Sequence, residues 1–222
     1  MATTRLFLVR HGATTLSAED RFAGSTDVDL SDEGRGQVER LSRRLADDRI
    51  VAAYCSPMRR AVDTAAVIAG AHGVGPQPRD GLREISHGRW EGLRRADVEG
   101  RFPEEYAAWE EDPFTFAPQG GESGLDVMAR ALPVLREIVL GHAGQNVLVV
   151  SHKATLRLVI SSLLGFDARG YRDRLDQSPA CLNVMDFRDA VRVRLMLFND
   201  VSHYADHPGR PRTHLSKWWD AP

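Results

Sequence analysis

Arg5-Leu6-Phe7-Leu8-Val9-Arg10-His11-Gly12-Ala13-Thr14 is an apolar, strand-forming run that ends abruptly in a cation, an imidazole and a glycine. A buried parallel strand delivers polar groups in this way to the carboxyl edge of a sheet, where open α/β folds bind ligands. Gly12 permits a turn and lets the backbone come close to a ligand. Arg10 beside His11 suits a phosphate, because a guanidinium clamps oxygens in bidentate fashion and a neutral imidazole can attack phosphorus. On this segment alone, a strand end whose Arg and His merely face water fits equally well.

The chain beyond supplies the elements that such an edge needs. Thr15 to Leu30 is polar and loop-like, with Arg21, Gly24, Asp27 and Asp29 prominent. Ser31 caps a helix opened by Asp32 and Glu33, with Val38, Leu41 and Leu45 on its apolar side. Ile50 to Cys55 reads as a second buried strand. Ser56-Pro57 then opens a helix with Pro in its first turn and a close-packing face of Val62, Ala65, Ala66 and Ala69. Gln77 to Arg79 reads as a short strand.

From Leu82 to Glu122 the pattern turns irregular and aromatic, with Trp90, Phe102, Tyr106, Trp109, Phe114 and Phe116. It reads as a cap inserted over the sheet edge, with a short helix near Pro103 to Glu111. A long helix follows from about Ser123 to Val139, with Leu125, Met128, Leu132, Leu135, Ile138 and Val139 on one face and a kink at Pro133. Asn146 to Ser151 is the strongest strand and again runs into a histidine, His152. Its helix continues through Leu156, Val159, Ile160 and Leu163 to Gly165. Ala180 to Phe187 and Val191 to Phe198 pattern as an antiparallel hairpin. The alternation predicts a three-layer α/β/α sandwich with a mostly parallel central sheet and a small inserted cap. It forms one domain over residues 1–222, with the cap at about 82–122 and a polar tail at about 199–222.

A chain of 222 residues that is 42% hydrophobic and 27% charged has the composition of a globular protein. Its net charge of −2 offers no overall attraction for nucleic acid or anionic membranes, so an anion site must be a local cluster of cations. Cys55 and Cys181 stand far apart in no metal-like spacing, which points to a reducing compartment. No apolar run is long enough to span a bilayer. The expectation is a cytoplasmic protein without nucleic-acid or membrane partners; whether it forms a homodimer stays open.

Strands ending at His11 and His152 can bring both imidazoles into one crevice. Arg59, early in the helix after the second strand, and Glu84, at the start of the cap, extend the set. It then holds a nucleophile, a second imidazole, two guanidinium groups and a carboxyl group.

At this point the chain resembles the histidine phosphatase superfamily, the phosphoglycerate mutase-like proteins. Leu8-Val9-Arg10-His11-Gly12-Ala13-Thr14 is similar to the family signature. Further blocks match in order: Arg21-x-x-Gly24-x-x-Asp27, Leu30-Ser31-x-x-Gly34-x-x-Gln37 and Ser56-Pro57-Met58-Arg59-Arg60-Ala61-x-x-Thr64-Ala65. Leu82-Arg83-Glu84-x-x-x-Gly88-x-Trp90-Glu91-Gly92, Pro118-x-Gly120-Gly121-Glu122-Ser123 and Val149-Val150-Ser151-His152 complete the set.

The resemblance implies that His11 attacks the phosphoryl group and carries a phosphohistidine. Arg10, Arg59 and His152 would hold the transferred oxygens, and Glu84 would protonate the leaving alkoxide and then deprotonate water. Arg21 and Thr14 would touch substrate at the rim. Ser56 either caps the helix carrying Arg59 or contacts phosphate. No metal or cofactor is called for, since guanidinium and imidazole groups supply the positive charge.

Two positions depart from the pattern: Ala13 where the family usually carries Glu, and Lys153 where it usually carries Gly. Lys153 either adds a cation beside the phosphate or points into solvent. The expected activity is metal-independent hydrolysis of a small phosphate monoester, with the compact cap favouring a phosphatase. A phosphoglycerate mutase and a catalytically dead phospho-ligand binder are the alternatives. Arg83, Arg89, Arg94 and Arg95 would suit an acidic substrate or lie on the surface. His203, His207 and His214 make a poor metal site, and Trp218-Trp219 covers an apolar patch or a partner.

Overall fold

The computed structural model describes residues 3–15 and 21–209. His214, Trp218 and Trp219 lie outside them. The first strand, β1 (Thr4–Arg10), is followed by α1 (Asp32–Arg44), β2 (Ile50–Cys55), α2 (Arg59–Gly70) and the short β3 (Pro76–Pro78). The cap carries α3 (Arg95–Arg101) and α4 (Pro103–Glu111), and α5 (Gly124–Gly141) leads back to the sheet. Then come β4 (Asn146–Ser151), α6 (Lys153–Leu164), the single turn α7 (Tyr171–Arg174), β5 (Leu182–Phe187) and β6 (Val193–Asp200).

The strands form one mixed sheet in the order β3-β2-β4-β1-β5-β6. β3, β2, β4 and β1 run parallel; β5 is antiparallel to β1, and β6 antiparallel to β5. Side chains alternate between the faces of β1, as the pleat requires. Phe7 and Val9 pack under α1 and α2 with Leu41, Ala65 and Ile68. Leu6 and Leu8 pack on the other side with Ala131 and Leu135 of α5 and Val159 of α6. Burial of both faces explains why β1 and β4 read as continuous apolar runs. The result is the expected α/β sandwich.

Local signals act as their chemistry dictates at several helix ends. Ser31 Oγ accepts from Gly34 N at 3.1 Å at the start of α1, and Gly165, at φ 71°, closes α6 in the left-handed region. Ser123 and Asp126 form a capping box on α5. Two expectations need correction. α2 begins at Arg59, beyond Pro57, because Asp27 Oδ1 caps it from another loop by accepting from Arg59 N at 2.9 Å. α5 turns Val127, Ala131, Leu135 and Ile138 inward and leaves Leu125 53% exposed, since the small Ala131 allows the close approach to the sheet. α3 has no counterpart in the sequence reading. Phe22 of the loop after β1 and the cap residues Trp90, Val98, Tyr106 and Trp109 bury one another as a satellite core.

Candidate active site

β1 and β4 end side by side, with Arg10 paired to Ser151. The next residue of each chain segment is therefore a histidine at the carboxyl edge of the sheet, and His11 N bonds Ser151 O at 3.1 Å. The imidazoles of His11 and His152 meet edge to face, with centroids 5.0 Å apart. Gly12 permits the close approach of this segment to α1: a Cβ there would lie 2.7 Å from the Gly34 carbonyl. The Gly12 amide donates to Thr64 Oγ1 of α2 at 3.2 Å, and the Ala13 amide to Gln37 Oε1 of α1 at 3.1 Å.

His11 Nδ1 lies 2.8 Å from the Gly12 carbonyl, which can only accept, so Nδ1 carries the proton. Nε2 is left with its lone pair, and Arg60 Nε donates to it at 3.2 Å. Burial, reinforced by the charges of Arg10 and Arg60, holds the His11 pKa well below 6.5. His11 is thus a neutral imidazole with a defined tautomer. His152, at the N-cap of α6, is completely buried, and both its ring nitrogens lack a hydrogen-bond partner. Its pKa is likewise held well below 6.5, first by burial, then by competition with the adjacent His11 ring for a proton and by the positive charges of Arg60 and Arg10.

The guanidinium beside His11 belongs to Arg60, and the expectation for Arg59 is corrected. Arg59 keeps 64% of its side chain exposed and pairs with Asp29 at 3.0 Å. Arg60 is 3% exposed, and its Nη1 and Nη2 donate to the carbonyls of Thr26 and Gly24 at 2.8 and 3.0 Å. Adjacent helical residues point about 100° apart, so only one of the pair can face the sheet edge. A face through Val62, Ala65 and Ala69 would carry Arg59 inward. The buried face runs through Ala61, Thr64, Ala65 and Ile68, which carries Arg60.

Glu84 reaches the first turn of α6 beside His152. Its carboxylate accepts from Ile85 N at 2.9 Å, Ala154 N at 3.1 Å, and Thr155 N and Oγ1 at 3.2 Å each. Arg130 of α5 holds the Glu84 segment by donating to the carbonyls of Gly81, Arg83 and Glu84, and pairs with Glu122. Arg10 Nη1 donates to the Gln177 carbonyl at 2.6 Å, while its Nε is buried without a partner.

The remaining candidates take other places. Thr14 is 8% exposed and its backbone bridges to Leu30. Arg21 bridges to Arg94 and donates to the Gly92 carbonyl at 2.7 Å, which ties it to the cap. Ser56 is fully buried and accepts from Met58 N at 3.3 Å, a contact at the entry to α2. Lys153 Nζ pairs with Asp176 at 2.9 Å. Arg89 stacks on Phe102 and pairs with Glu105 within the cap. The described residues hold no group of three His, Cys, Asp or Glu side chains able to bind a metal ion. His203 packs against Tyr204, and burial lowers its pKa to about 4.

Sequence reading missed Arg60, Gln177, Asp176, Arg130 and Glu91. Glu91 accepts from the Gly24 and Ser25 amides and Thr26 Oγ1, and so shapes the loop whose carbonyls hold Arg60. Arg60 and Glu91 stand inside the matched motif blocks, but the residue pattern gave neither a role.

A family model described as the histidine phosphatase superfamily (branch 1) matches residues 6–201. The chain belongs to the histidine phosphatase superfamily. Among members of the superfamily, it is 36% identical over 163 residues to phosphoserine phosphatase 1 of Hydrogenobacter thermophilus, covering 73% of this chain and 77% of that protein. It is also 36% identical over 172 residues to the glucosyl-3-phosphoglycerate phosphatase of Mycolicibacterium vanbaalenii, covering 74% and 76%. The fold matches that of Bacillus stearothermophilus YhfR with a TM-score of 0.84 at 30% identity, over 90% of this chain and 98% of that one. With phosphatases as close relatives, this superfamily member is a phosphoric monoester hydrolase.

Proposed function

We propose that the protein hydrolyses a small phosphate monoester through a phosphohistidine on His11, with Arg10 and Arg60 supplying the positive charge and with no metal ion in the reaction. The observation that carries this reading is the pair of contacts on one ring: Nδ1–H anchored on the Gly12 carbonyl, and an unprotonated Nε2 facing Arg60. The Nε2 lone pair attacks phosphorus as the ester P–O bond breaks. The leaving alkoxide takes a proton from the Glu84 carboxyl group. Water then gives that proton back to Glu84 while its oxygen attacks phosphorus, the P–N bond breaks, and inorganic phosphate leaves. The guanidinium groups of Arg10 and Arg60 and an N–H of His152 bind the equatorial oxygens, where charge grows in the transition state. The unpartnered nitrogens of Arg10 and His152 suit that task.

The substrate is a small phosphorylated metabolite. The reaction is assigned to the cytoplasm, a reading supported by two cysteines that are both buried and unpaired. The test is phosphate release from a panel of monoesters in the presence of a chelator, with acid-labile phosphate on the protein measured in parallel. Release and labelling that both vanish in His11→Ala support the reading. Release that persists in His11→Ala, or that requires added metal, overturns it.

A further inference from the structure

Beside Arg10 lies a second group of cations that the reaction at His11 does not use. Lys153 Nζ and Arg157 Nη2 both bond the same oxygen, Asp176 Oδ1, at 2.9 and 2.7 Å. Lys153 follows His152 directly, and Asp176 precedes Gln177, whose carbonyl receives Arg10. The group is therefore tied to the phosphate-binding edge from both sides.

Its anchor is rigid. Gln177 and Asn183, both fully buried, exchange amide hydrogen bonds at 3.0 and 2.7 Å, and Asn183 Nδ2 also donates to the Leu8 carbonyl of β1 at 3.1 Å. Ser178 N donates to Asn199 Oδ1 at 2.7 Å. The backbone that carries Asp176 is thus locked to the sheet.

Its charge is unbalanced. Lys153 and Arg157 contribute two cations against the single carboxylate of Asp176, and Arg157 Nε is buried without a hydrogen-bond partner. Burial first, and then the fields of Arg157 and Arg10, pull the Lys153 ammonium down to about 8. A third of the Lys153 side chain stays open to solvent, so a ligand can reach it. One unmatched positive charge fits a monoanion better than a second phosphate.

We propose that Lys153 and Arg157, bridged by Asp176, form a second anion subsite that takes the carboxylate of a phosphorylated hydroxy acid while its phosphate sits at His11. The proposal deepens the phosphatase reading and rests on it for the position of the phosphate. Because Lys153 directly follows His152, the subsite sets specificity at the edge of the phosphate site.

The test compares 3-phosphoglycerate with glycerol 3-phosphate, which carries a hydroxymethyl group in place of the carboxylate. Binding is measured by calorimetry in the His11→Ala background, with and without Lys153→Met; Lys153→Gln serves as a second variant in case the first does not fold. The expected result is that Lys153→Met weakens 3-phosphoglycerate by about tenfold more than glycerol 3-phosphate, the scale of one charge-assisted contact. Equal weakening of the two ligands, or none, overturns the subsite. If fructose 1,6-bisphosphate suffers the larger loss, the group reads a second phosphate and the carboxylate assignment falls. His11-dependent release of p-nitrophenol from p-nitrophenyl phosphate by the unmodified protein reports separately on the phosphatase reading, so the two can fail independently.

Discussion

Arg60 Nε donates to His11 Nε2 across 3.2 Å, and this contact connects the loop, the helix and the sheet edge in a single relay. Glu91 in the cap shapes the loop around Gly24 and Thr26, the loop carbonyls hold Arg60, and Arg60 faces the nucleophilic nitrogen. Arg59, its neighbour in sequence, points to solvent.

Substitution should therefore separate the two arginines. Arg60→Ala is expected to lower kcat/KM by about 10²–10³-fold, the usual cost of removing a donor aimed at developing charge. Arg59→Ala should stay within about threefold, as for an exposed ion pair. Steady-state kinetics on any hydrolysed monoester decides it, and a larger loss at Arg59 would show that α2 is rotated from the arrangement described.

Acid should cost this fold stability through its paired histidines. Both are held neutral well below the ordinary value, first by burial, whereas in the unfolded chain they titrate near about 6.5. Below that value the unfolded chain binds protons that the folded chain refuses, so their contribution is fully present above about pH 6.5 and is lost as pH falls. Urea midpoints should decline between about pH 7 and about pH 5.5, and less steeply in His152→Gln. An equal decline in that variant would place the acid sensitivity elsewhere.

Glu84→Gln should discriminate between leaving groups. Hydrolysis of an alkyl phosphate, whose alkoxide needs a proton, is expected to fall by about 10²–10⁴-fold. p-Nitrophenyl phosphate, with a leaving group stable as an anion, should lose far less. Because the carboxylate also accepts from the Ala154 and Thr155 amides, equal losses on both substrates would assign Glu84 to holding α6 in place.

The buried amide pair is expected to be costly to break. Asn183→Leu leaves the Gln177 amide without its partner in a fully buried setting, a cost of about 1–3 kcal/mol read from the denaturation midpoint. KM should rise with it, because Gln177 also holds Arg10.

Much of this was legible locally. The strand ends at His11 and His152, the Ser31 cap, the α4 span from Pro103 to Glu111 and the place of Glu84 at the cap entrance are contiguous in the chain, and their residue types state their conformations. The phase of a helix is not stated in this way. The small residues of α2 admit more than one apolar face, and a rotation of one position exchanges Arg59 for Arg60.

By itself, the sequence determined the layered α/β architecture and the family, because buried strands, caps and ordered motifs are written in neighbouring residues. Only the tertiary structure decided which guanidinium faces His11, and that Asp176 and Gln177 stand beside Arg10. Those choices follow from how α2 packs on the sheet and from a buried amide pair that joins β5 to the loop before it, contacts between segments that sequence pattern does not encode.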